Sequence, residues 1–420
     1  MSAAKWTACK LGSLFQVKHG YAFKGEYFAE SGDHVLLTPG NFREEGGLKL
    51  KGEREKYYVG DVPEEFLLRE GDLLIAMTDL TQNAPILGSP AIVPGDGRFL
   101  HNQRLGKITD LRSELIVPRF LFYLLNTASV RGQIKGSATG ATVRHTSPSR
   151  VYDVVVELPP LAIQRRIAGI LSAYDDLIEN SQRRIKILET MARALYREWF
   201  VHFRFPGYEN HPRVASPLGE IPEGWEVRSA PGCVEINPRV TVPREGDKPF
   251  VPMGCLSNDS MLITEIETRA GNSGSKFQNG DTLFARITPC LENGKTGYVQ
   301  FLPNATSVAF GSTEFIVLRS RTLTPEFVYL LARSEEFRGV AIKSMSGATG
   351  RQRVQEQCFN DFQIVQPPRE LLETFTSIVA PSFQLIFRLH LQIENLRRTR
   401  DLLLPRLLSG QIALGELEAA

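Results

Sequence analysis

A set of short motifs occurs twice in this chain, about 208 residues apart. Gly71-Asp72, which precedes an apolar run, returns as Gly280-Asp281 before a similar run. Pro159-Pro160 returns as Pro367-Pro368, and each pair is followed by a long helical pattern. A period of this length exceeds the roughly 20–50 residues of a solenoid repeat. The chain is therefore predicted to contain a duplicated domain, and each copy carries its own linker helix.

The helical pattern after each proline pair places its seam positions at alternating steps of three and four, which is typical of a heptad a/d seam. Two such helices in one chain can bury their seams against each other as an intramolecular coiled coil. The alternative is that each helix packs only on its own domain. The equal phase of the two copies favours the shared coiled coil. The seam positions are Ile178, Ser181, Ile185, Leu188, Ala192, Leu195 and Trp199 in the first copy, and Ile386, Leu389, Ile393, Leu396, Arg400, Leu403 and Leu407 in the second.

Outside these helices the sequence has short apolar runs separated by Gly, Pro and Asn, which is typical of strands and loops. The expected fold class is therefore α+β, with two mixed α/β heads related by internal duplication and separated by two long helices. Pro381 lies inside the second helical segment and predicts a kink or an interruption, after which the helix begins near Ser382. The expected boundaries are 1–157 for the first head, 158–204 for the first helix, 205–365 for the second head, 366–410 for the second helix and 411–420 for a tail.

The cysteine pattern and the hydropathy predict a cytoplasmic protein. Five cysteines are scattered along the chain without a Cys-x-x-Cys pair, so neither a disulfide framework nor a zinc site is indicated. No apolar stretch reaches the roughly 18 residues of a membrane span, and the first ten residues lack the apolar core of a signal peptide.

Motif searches predict that the chain holds no active site of its own. Neither a Gly-x-Gly-x-x-Gly nor a Gly-x-x-x-x-Gly-Lys-Ser/Thr loop occurs, so no phosphate cradle is indicated. None of the 14 lysines has an acidic residue two positions before it, as common metal-dependent nucleases require. The proline pairs lack the Asn or Asp that precedes them in methyltransferase loops. The seven histidines show no metal-ligand spacing, and we expect neither a metal nor a cofactor in this chain.

Polar loops follow the shared motifs in both copies, and their residues differ between the copies. Arg, Asn and Gln can contact base edges through two hydrogen bonds, whereas Ser, Thr and Lys suit phosphates. For any one loop, an ordinary solvated surface is the better explanation. Their positions on a repeated framework favour DNA recognition instead. The candidate DNA-binding residues are Lys18, His19, Tyr21, Lys24, Thr78, Thr81, Gln82, Asn83, Asn102, Gln103, Arg104, Thr139, Thr142, Arg144 and His145 in the first head, and Arg286, Thr288, Asn293, Lys295, Ser312, Thr313, Arg351, Gln352 and Arg353 in the second.

Taken together, these motifs resemble the specificity subunit of a type I restriction–modification system over nearly the whole chain. The resemblance rests on the duplicated head, the Gly-Asp strands and the Ala-Thr-Gly loops. It also rests on the order Pro-Pro, Gln, Ile at the start of the first long helix and on the run at residues 403–412. Each motif alone is weak, but their order, repeated twice, is specific.

The resemblance implies that each head is a target recognition domain that reads one half of a bipartite, asymmetric site in double-stranded DNA. The two helices would form an antiparallel coiled coil that sets the spacer between the half-sites. Two modification subunits would bring S-adenosylmethionine and methylate adenine at N6. Restriction subunits, with ATP and Mg, would add translocation and cleavage. This chain would be the non-catalytic, DNA-binding part of the complex.

Two other interpretations fit part of the sequence. The chain could be a fragment of a fused restriction–methylation enzyme, in which a catalytic domain precedes the heads. It could also be a coiled-coil scaffold whose heads bind proteins, which predicts no salt-dependent DNA binding even in the presence of methylation partners.

Overall fold

The computed structural model describes residues 6–50, 52, 55–348 and 350–412. The chain divides into two compact units, one formed by Met1–Asp176 with Leu396–Ala420 and the other by Leu177–Asn395. Each unit combines a β-rich head with segments of the two long helices.

In the first unit, two four-stranded sheets form the centre of the head. One has the order β2-β10-β6-β8 and is antiparallel; the other has the order β3-β5-β4-β9, in which β4 and β9 are parallel. The strands of the first unit are β1 (Thr7–Lys10), β2 (Gln16–His19), β3 (Phe28–Ala29), β4 (His34–Leu37), β5 (Tyr57–Tyr58), β6 (Leu73–Ala76), β7 (Thr78–Asp79), β8 (Pro90–Ile92), β9 (Phe99–His101), β10 (Leu105–Thr109), β11 (Arg144–His145) and β12 (Val155–Leu158). Its helices are α1 (Pro118–Leu125), α2 (Ala128–Ser137), α3 (Pro148–Tyr152) and the first part of α4 (Leu161–Tyr196).

The second unit repeats the strand order of the antiparallel sheet, whereas its mixed sheet has a different strand order around a similar parallel pair. An antiparallel sheet has the order β16-β23-β20-β21, and a mixed sheet has the order β18-β17-β22-β19, in which β17 and β22 are parallel. Its strands are β13 (Arg213–Ser216), β14 (Gly219–Pro222), β15 (Glu226–Ser229), β16 (Val234–Ile236), β17 (Lys248–Val251), β18 (Glu267–Arg269), β19 (Ser275–Phe277), β20 (Thr282–Ala285), β21 (Thr296–Tyr298), β22 (Ala309–Gly311), β23 (Phe315–Ser320) and β24 (Gln363–Gln366), and its helices are α5 (Ala230–Cys233), α6 (Pro325–Arg333), α7 (Glu335–Lys343) and the first part of α8 (Arg369–Leu408).

The repeated Gly-Asp motif builds the same turn in both heads. Gly71 and Gly280 both have left-handed backbone angles, with φ of +83° and +88°, which glycine adopts without strain. The aspartate that follows accepts an amide proton from its own turn and pairs with a basic residue on the neighbouring strand. In the second head, Asp281 is almost fully buried and forms a two-bond pair with Arg319. The motif therefore has a structural role in the sheet.

The two long helices pack antiparallel, as the predicted fold class requires. Asp175 of α4 forms an ion pair of 2.7 Å with Arg400, near the end of α8. After α4 the chain continues through one π-helical turn, Arg197–Val201, in which the Trp199 ring lies 5.8 Å from that of Phe375, near the start of α8. At about 1.5 Å per residue, α4 with 36 residues is about 54 Å long and α8 with 40 residues is about 60 Å long. Within the described residues, no helix has the length and hydropathy needed to cross a membrane.

Burial follows the predicted heptad seam. Ile178, Ile185, Ile386 and Ile393 are each at most 8% exposed. At the end of the seam, Leu407 is buried in the main apolar cluster of the first head. The apolar seams are therefore the buried faces of the two long helices.

The predicted interruption of the second long helix at Pro381 is wrong. The helix α8 begins at Arg369 and continues through Pro381 without a break. A proline inside a helix removes one backbone hydrogen bond and costs about 3 kcal/mol or more. Val379 and Phe383, on either side of it, are each 2% exposed, and their burial offsets this loss.

Gln164, near the start of α4, joins three segments of the first unit. Gln164 is fully buried. Its Oε1 accepts the amide proton of Val117 at 3.0 Å, just before α1, and its Nε2 donates to the carbonyls of Leu115 and Pro159, both at 2.9 Å. The side chain thus fixes the start of α4 against the start of α1. At the corresponding position, the second copy has the buried apolar residue Leu372.

We expect the Gln164→Leu variant to lower the free energy of unfolding of the first unit by about 2–4 kcal/mol, because it leaves a buried amide and two carbonyls without their partner. The measurement is urea denaturation combined with hydrogen exchange of residues 115–125, which should lose protection. Gln182→Leu, on the same helix, is the matched control and should change stability by less than about 0.5 kcal/mol. Equal effects of the two variants would contradict this role for Gln164.

Candidate nucleic-acid interface

In the first head, the end of β2 and the turn between β9 and β10 lie side by side. The Tyr21 amide donates to the His101 carbonyl at 2.8 Å, and the Gln103 amide donates to the Tyr21 carbonyl at 3.0 Å. The Tyr21 ring is 37% exposed and contacts the rings of Phe23 and Phe66 at 5.1 and 5.2 Å. An exposed aromatic ring is thus held rigidly beside the polar residues of both loops.

Two lysines flank Tyr21 in the sequence. The Lys18 ammonium lies 2.6 Å from Glu65 and over the Phe66 ring, whereas Lys24 is exposed and 3.9 Å from Glu26. Beneath the loops, burial lowers the pKa of His101 to about 4. This ring therefore stays neutral, and its Nε2 donates to the Leu105 carbonyl at 3.0 Å.

The loop after β6 pairs with the loop after α2. In the β7–β11 pair, His145 lies opposite Thr78, and His145 also exchanges two backbone hydrogen bonds with Thr139. The Thr78 hydroxyl lies 3.0 Å from His145 Nδ1 and is buried, so it orients the imidazole from below. Arg144 donates to the carbonyls of Gly140 and Lys135.

The two loop pairs meet at Met77. Its amide donates to the Arg104 carbonyl, and its carbonyl accepts from the Thr146 amide, both at 3.0 Å. These bonds place residues 18–24, 78–83, 102–104 and 139–145 at one edge of the head, which we call the first loop surface.

The buried aspartate Asp79 shapes the 80–86 loop on this surface. It accepts from the amide and the hydroxyl of Thr81 and from the Ile86 amide, at 2.7–2.8 Å. The Thr81 hydroxyl is therefore engaged in a hydrogen bond within the loop, whereas the neighbouring Gln82 and Asn83 are exposed.

The second head has the same backbone crossing with different side chains. The Arg286 amide donates to the Glu314 carbonyl at 3.0 Å, and the Arg286 carbonyl accepts from the Val354 amide at 2.8 Å. Arg286 thus stands where Met77 stands in the first head. Thr288 and Gln352 are joined by two further hydrogen bonds. We call residues 286–288, 312–314 and 351–353 the second loop surface.

Two acidic residues of the second head, which the sequence analysis did not select, pair with its arginines. Glu314 forms an ion pair with Arg353, and Glu356 forms one with Arg286 at 2.8 Å. The hydrogen bonds from Arg353 hold the pKa of Glu314 below its usual range, so this carboxylate stays ionised. No signal in the sequence indicates these pairs, because their members lie 39 and 70 residues apart.

The structure separates the candidate residues by exposure. Thr78 and Thr288 are buried and act inside the loops. Lys295 is half-buried and donates to the Met253 carbonyl at 3.0 Å, and Asn293 lies on the same turn. The half-exposed candidates also include Lys18, Asn102, Arg144, Arg286, Ser312 and Gln352. The exposed candidates are His19, Tyr21, Lys24, Thr81, Gln82, Asn83, Gln103, Arg104, Thr139, Thr142, His145, Thr313, Arg351 and Arg353.

Comparison with known proteins places this architecture in a family. Residues 4–190 match the type I restriction modification DNA specificity domain. The MjaIX specificity subunit of a type I restriction enzyme from Methanocaldococcus jannaschii is 27% identical over 362 residues, which cover 83% of this chain and 76% of that protein. Over residues 4–190 the chain matches the DNA specificity domain of type I restriction–modification systems, and over most of its length it is similar to specificity subunits of these systems. It is a DNA specificity subunit, and this family is non-catalytic.

Two further proteins are similar to this chain over most of its length. The HindI specificity subunit of a type I restriction enzyme from Haemophilus influenzae is 22% identical over 396 residues, covering 76% of this chain and 85% of that protein. The crystal structure of a type I restriction–modification S subunit from M. genitalium superposes with a TM-score of 0.59 at 14% identity and covers 97% of both chains. The specificity-subunit fold therefore extends over both heads and both helices.

Proposed function

We propose that each head of this specificity subunit reads one half of a bipartite, asymmetric DNA site. The supporting observation is that the same hydrogen-bonded loop framework occurs in both heads while the exposed side chains on it differ. Arg104 and His145, which are exposed in the first head, are replaced by Glu314 and Arg353 in the second, whereas the buried Met77 is replaced by the partly exposed Arg286. Two surfaces with one backbone and different donor patterns suit two different base sequences. In this proposal, residues 1–157 and 205–365 are the two target recognition domains.

The long helices, residues 158–204 and 366–410, are proposed to set the number of base pairs between the half-sites. The expected tail, residues 411–420, lies outside the described residues from position 413 onwards. Antiparallel helices with buried seams form a stiff strut, unlike a flexible linker. A strut of fixed length allows two heads to engage one duplex at one spacing.

Two modification subunits are the proposed direct partners. On the α4 segment of the second unit, Leu177, Ile187 and Met191 are between 50 and 62% exposed. Successive residues on an α-helix are about 100° apart, which places these three on one side of α4. An exposed apolar stripe of this kind supports docking of a partner helix. In the proposed complex, the modification subunits hold S-adenosylmethionine and methylate adenine at N6, whereas restriction subunits use ATP and Mg.

The experiment that tests the function is co-expression of this chain with its modification subunit, followed by long-read mapping of N6-methyladenine in the host DNA. We expect a single motif with two short half-sites around a fixed gap, because each head contributes one half. A stable complex that produces no such motif contradicts the proposal. A protein-binding scaffold would then be tested by DNA binding at increasing salt, since phosphate contacts weaken steeply with salt and a scaffold shows no such binding.

Exchange of residues 1–155 for the first head of another family member should change one half-site and leave the other half-site and the gap as they were. The reason is that the second loop surface and both helices remain those of the original chain. Methylation mapping of the chimera measures this. A change in both half-sites would contradict the assignment of one head to one half-site.

Removal of matched heptads from the two helices, residues 180–186 and 389–395, should shorten the gap by about three base pairs or abolish binding. Seven helical residues correspond to about 10.5 Å, and one base pair to about 3.4 Å. The shortened chain needs a control for folding, which circular dichroism and assembly with the modification subunit provide. A folded, active complex with an unchanged gap would contradict the role of the helices as a spacer.

A further inference from the structure

An arginine on the second loop surface is fixed in position although it is exposed. Arg353 donates Nε to Glu314 Oε2 at 2.9 Å and Nη2 to Glu314 Oε1 at 2.7 Å. The Arg353 side chain is 48% exposed and that of Glu314 21%. A flexible side chain on a loop would lose rotamer entropy on binding DNA, whereas this one is already held.

The backbones of both residues are also anchored. Arg353 exchanges two hydrogen bonds with Ser346, at 2.9 and 3.1 Å. The Glu314 amide donates to Ser312 Oγ at 3.2 Å, and the Glu314 carbonyl accepts from Arg286. The ion pair therefore joins two fixed points of the framework, and its direction is set by the fold.

The geometry of the guanidinium determines what this pair can recognise. Glu314 occupies the edge formed by Nε and Nη2, whereas Nη1 and Nη2 form a second edge of the same planar group. Two parallel donors of this kind match the O6 and N7 acceptors that guanine presents in the major groove. Because the carboxylate is engaged by the arginine, its charge holds the guanidinium in place and is partly neutralised towards DNA.

We propose that Arg353 reads a guanine in the half-site of the second head and that Glu314 is its positioning residue. This inference rests on the proposed function, in which the second loop surface faces DNA.

The neighbouring residues support the choice of Arg353. Arg286 is also paired, with Glu356, but its side chain is 26% exposed and donates again to the Val354 carbonyl. In the first head, His145 occupies the position of Arg353, and Arg104 occupies that of Glu314. A histidine offers a single donor or acceptor on its outer nitrogen, so the first head reads its own base differently at this position.

The test compares the methylation motifs of the wild-type complex and of complexes with Arg353→Ala, Arg353→Lys or Glu314→Gln. One G·C position in the second half-site should become degenerate in the Arg353→Ala and Arg353→Lys complexes, while the first half-site and the gap stay unchanged. Lysine keeps the charge but lacks the two parallel donors. Glu314→Gln should relax the same position in part, an effect that a purely structural role would not confine to one base pair. Arg321→Ala, which removes an exposed charge at the end of β23 opposite to Glu314 and outside the second loop surface, is the matched control and should leave the motif unchanged.

A second half-site without a G·C pair would overturn the inference, as would undiminished stringency in the Arg353 variants or the same relaxation in Arg321→Ala. If a variant complex does not methylate, competition binding on duplexes with each base pair replaced gives the answer. The wild type should discriminate at one G·C pair by about 5- to 150-fold, and Arg353→Lys should lose most of that ratio. A wild-type complex that yields no bipartite motif refutes the proposed function instead, so the two failures are distinguishable.

Discussion

The structure depends on the need of two long amphipathic helices to bury their seams. A helix of this length with an apolar stripe is not stable alone in water, because most helical stability in proteins comes from packing of that stripe. The antiparallel arrangement brings the end of α8 beside the start of α4, as the Asp175–Arg400 pair shows. Consequently Leu396–Leu408, the last part of the chain's final helix, belongs to the first unit. The end of α8 lies in the first unit because the apolar seam of α8 is buried against that of α4.

The two ends of the helix pair are chemically different, and this difference specifies their register. In the first unit, Asp175 accepts a hydrogen bond from the Tyr123 hydroxyl and pairs with Arg400, which occupies a seam position. In the second unit, the aromatic rings of Trp199, Phe200 and Phe375 pack together instead. A polar residue at a seam position reduces stability relative to an apolar one, but it disfavours registers that leave the charge unpaired.

The sequence predicted the parts of the fold that depend on local pattern. The period of about 208 residues predicted the duplication, and the heptad steps predicted both long helices and their buried faces. It failed at Pro381, because the local rule for proline cannot weigh the burial of Val379 and Phe383 on either side. The Gln164 motif was visible, but its role was not, since its partners at Leu115 and Val117 lie nearly 50 residues earlier.

The same limit applies to the loops. Their polar residues could be selected from composition and position, but their orientation depends on contacts between distant segments. Thr78 was selected as an exposed contact and is in fact buried beneath His145. Glu314 was not selected, because an acidic residue on a surface expected to face DNA has no evident use until its pairing with Arg353 is known. Which bases the candidates read stays a prediction.

The backbone hydrogen bonds at Met77 and Arg286 explain how one fold can present two different surfaces. At both positions main-chain amides and carbonyls join the crossing strands, and these bonds do not depend on which side chain is present. A methionine and an arginine therefore leave the same backbone in place, although one is apolar and the other charged. Below the loops, the glycine and aspartate residues are fixed because turn and sheet geometry require them, as at Gly280 and Asp281. Residues that face outwards have no such requirement. This separation between main-chain framework and exposed side chains allows recognition to change without loss of the fold.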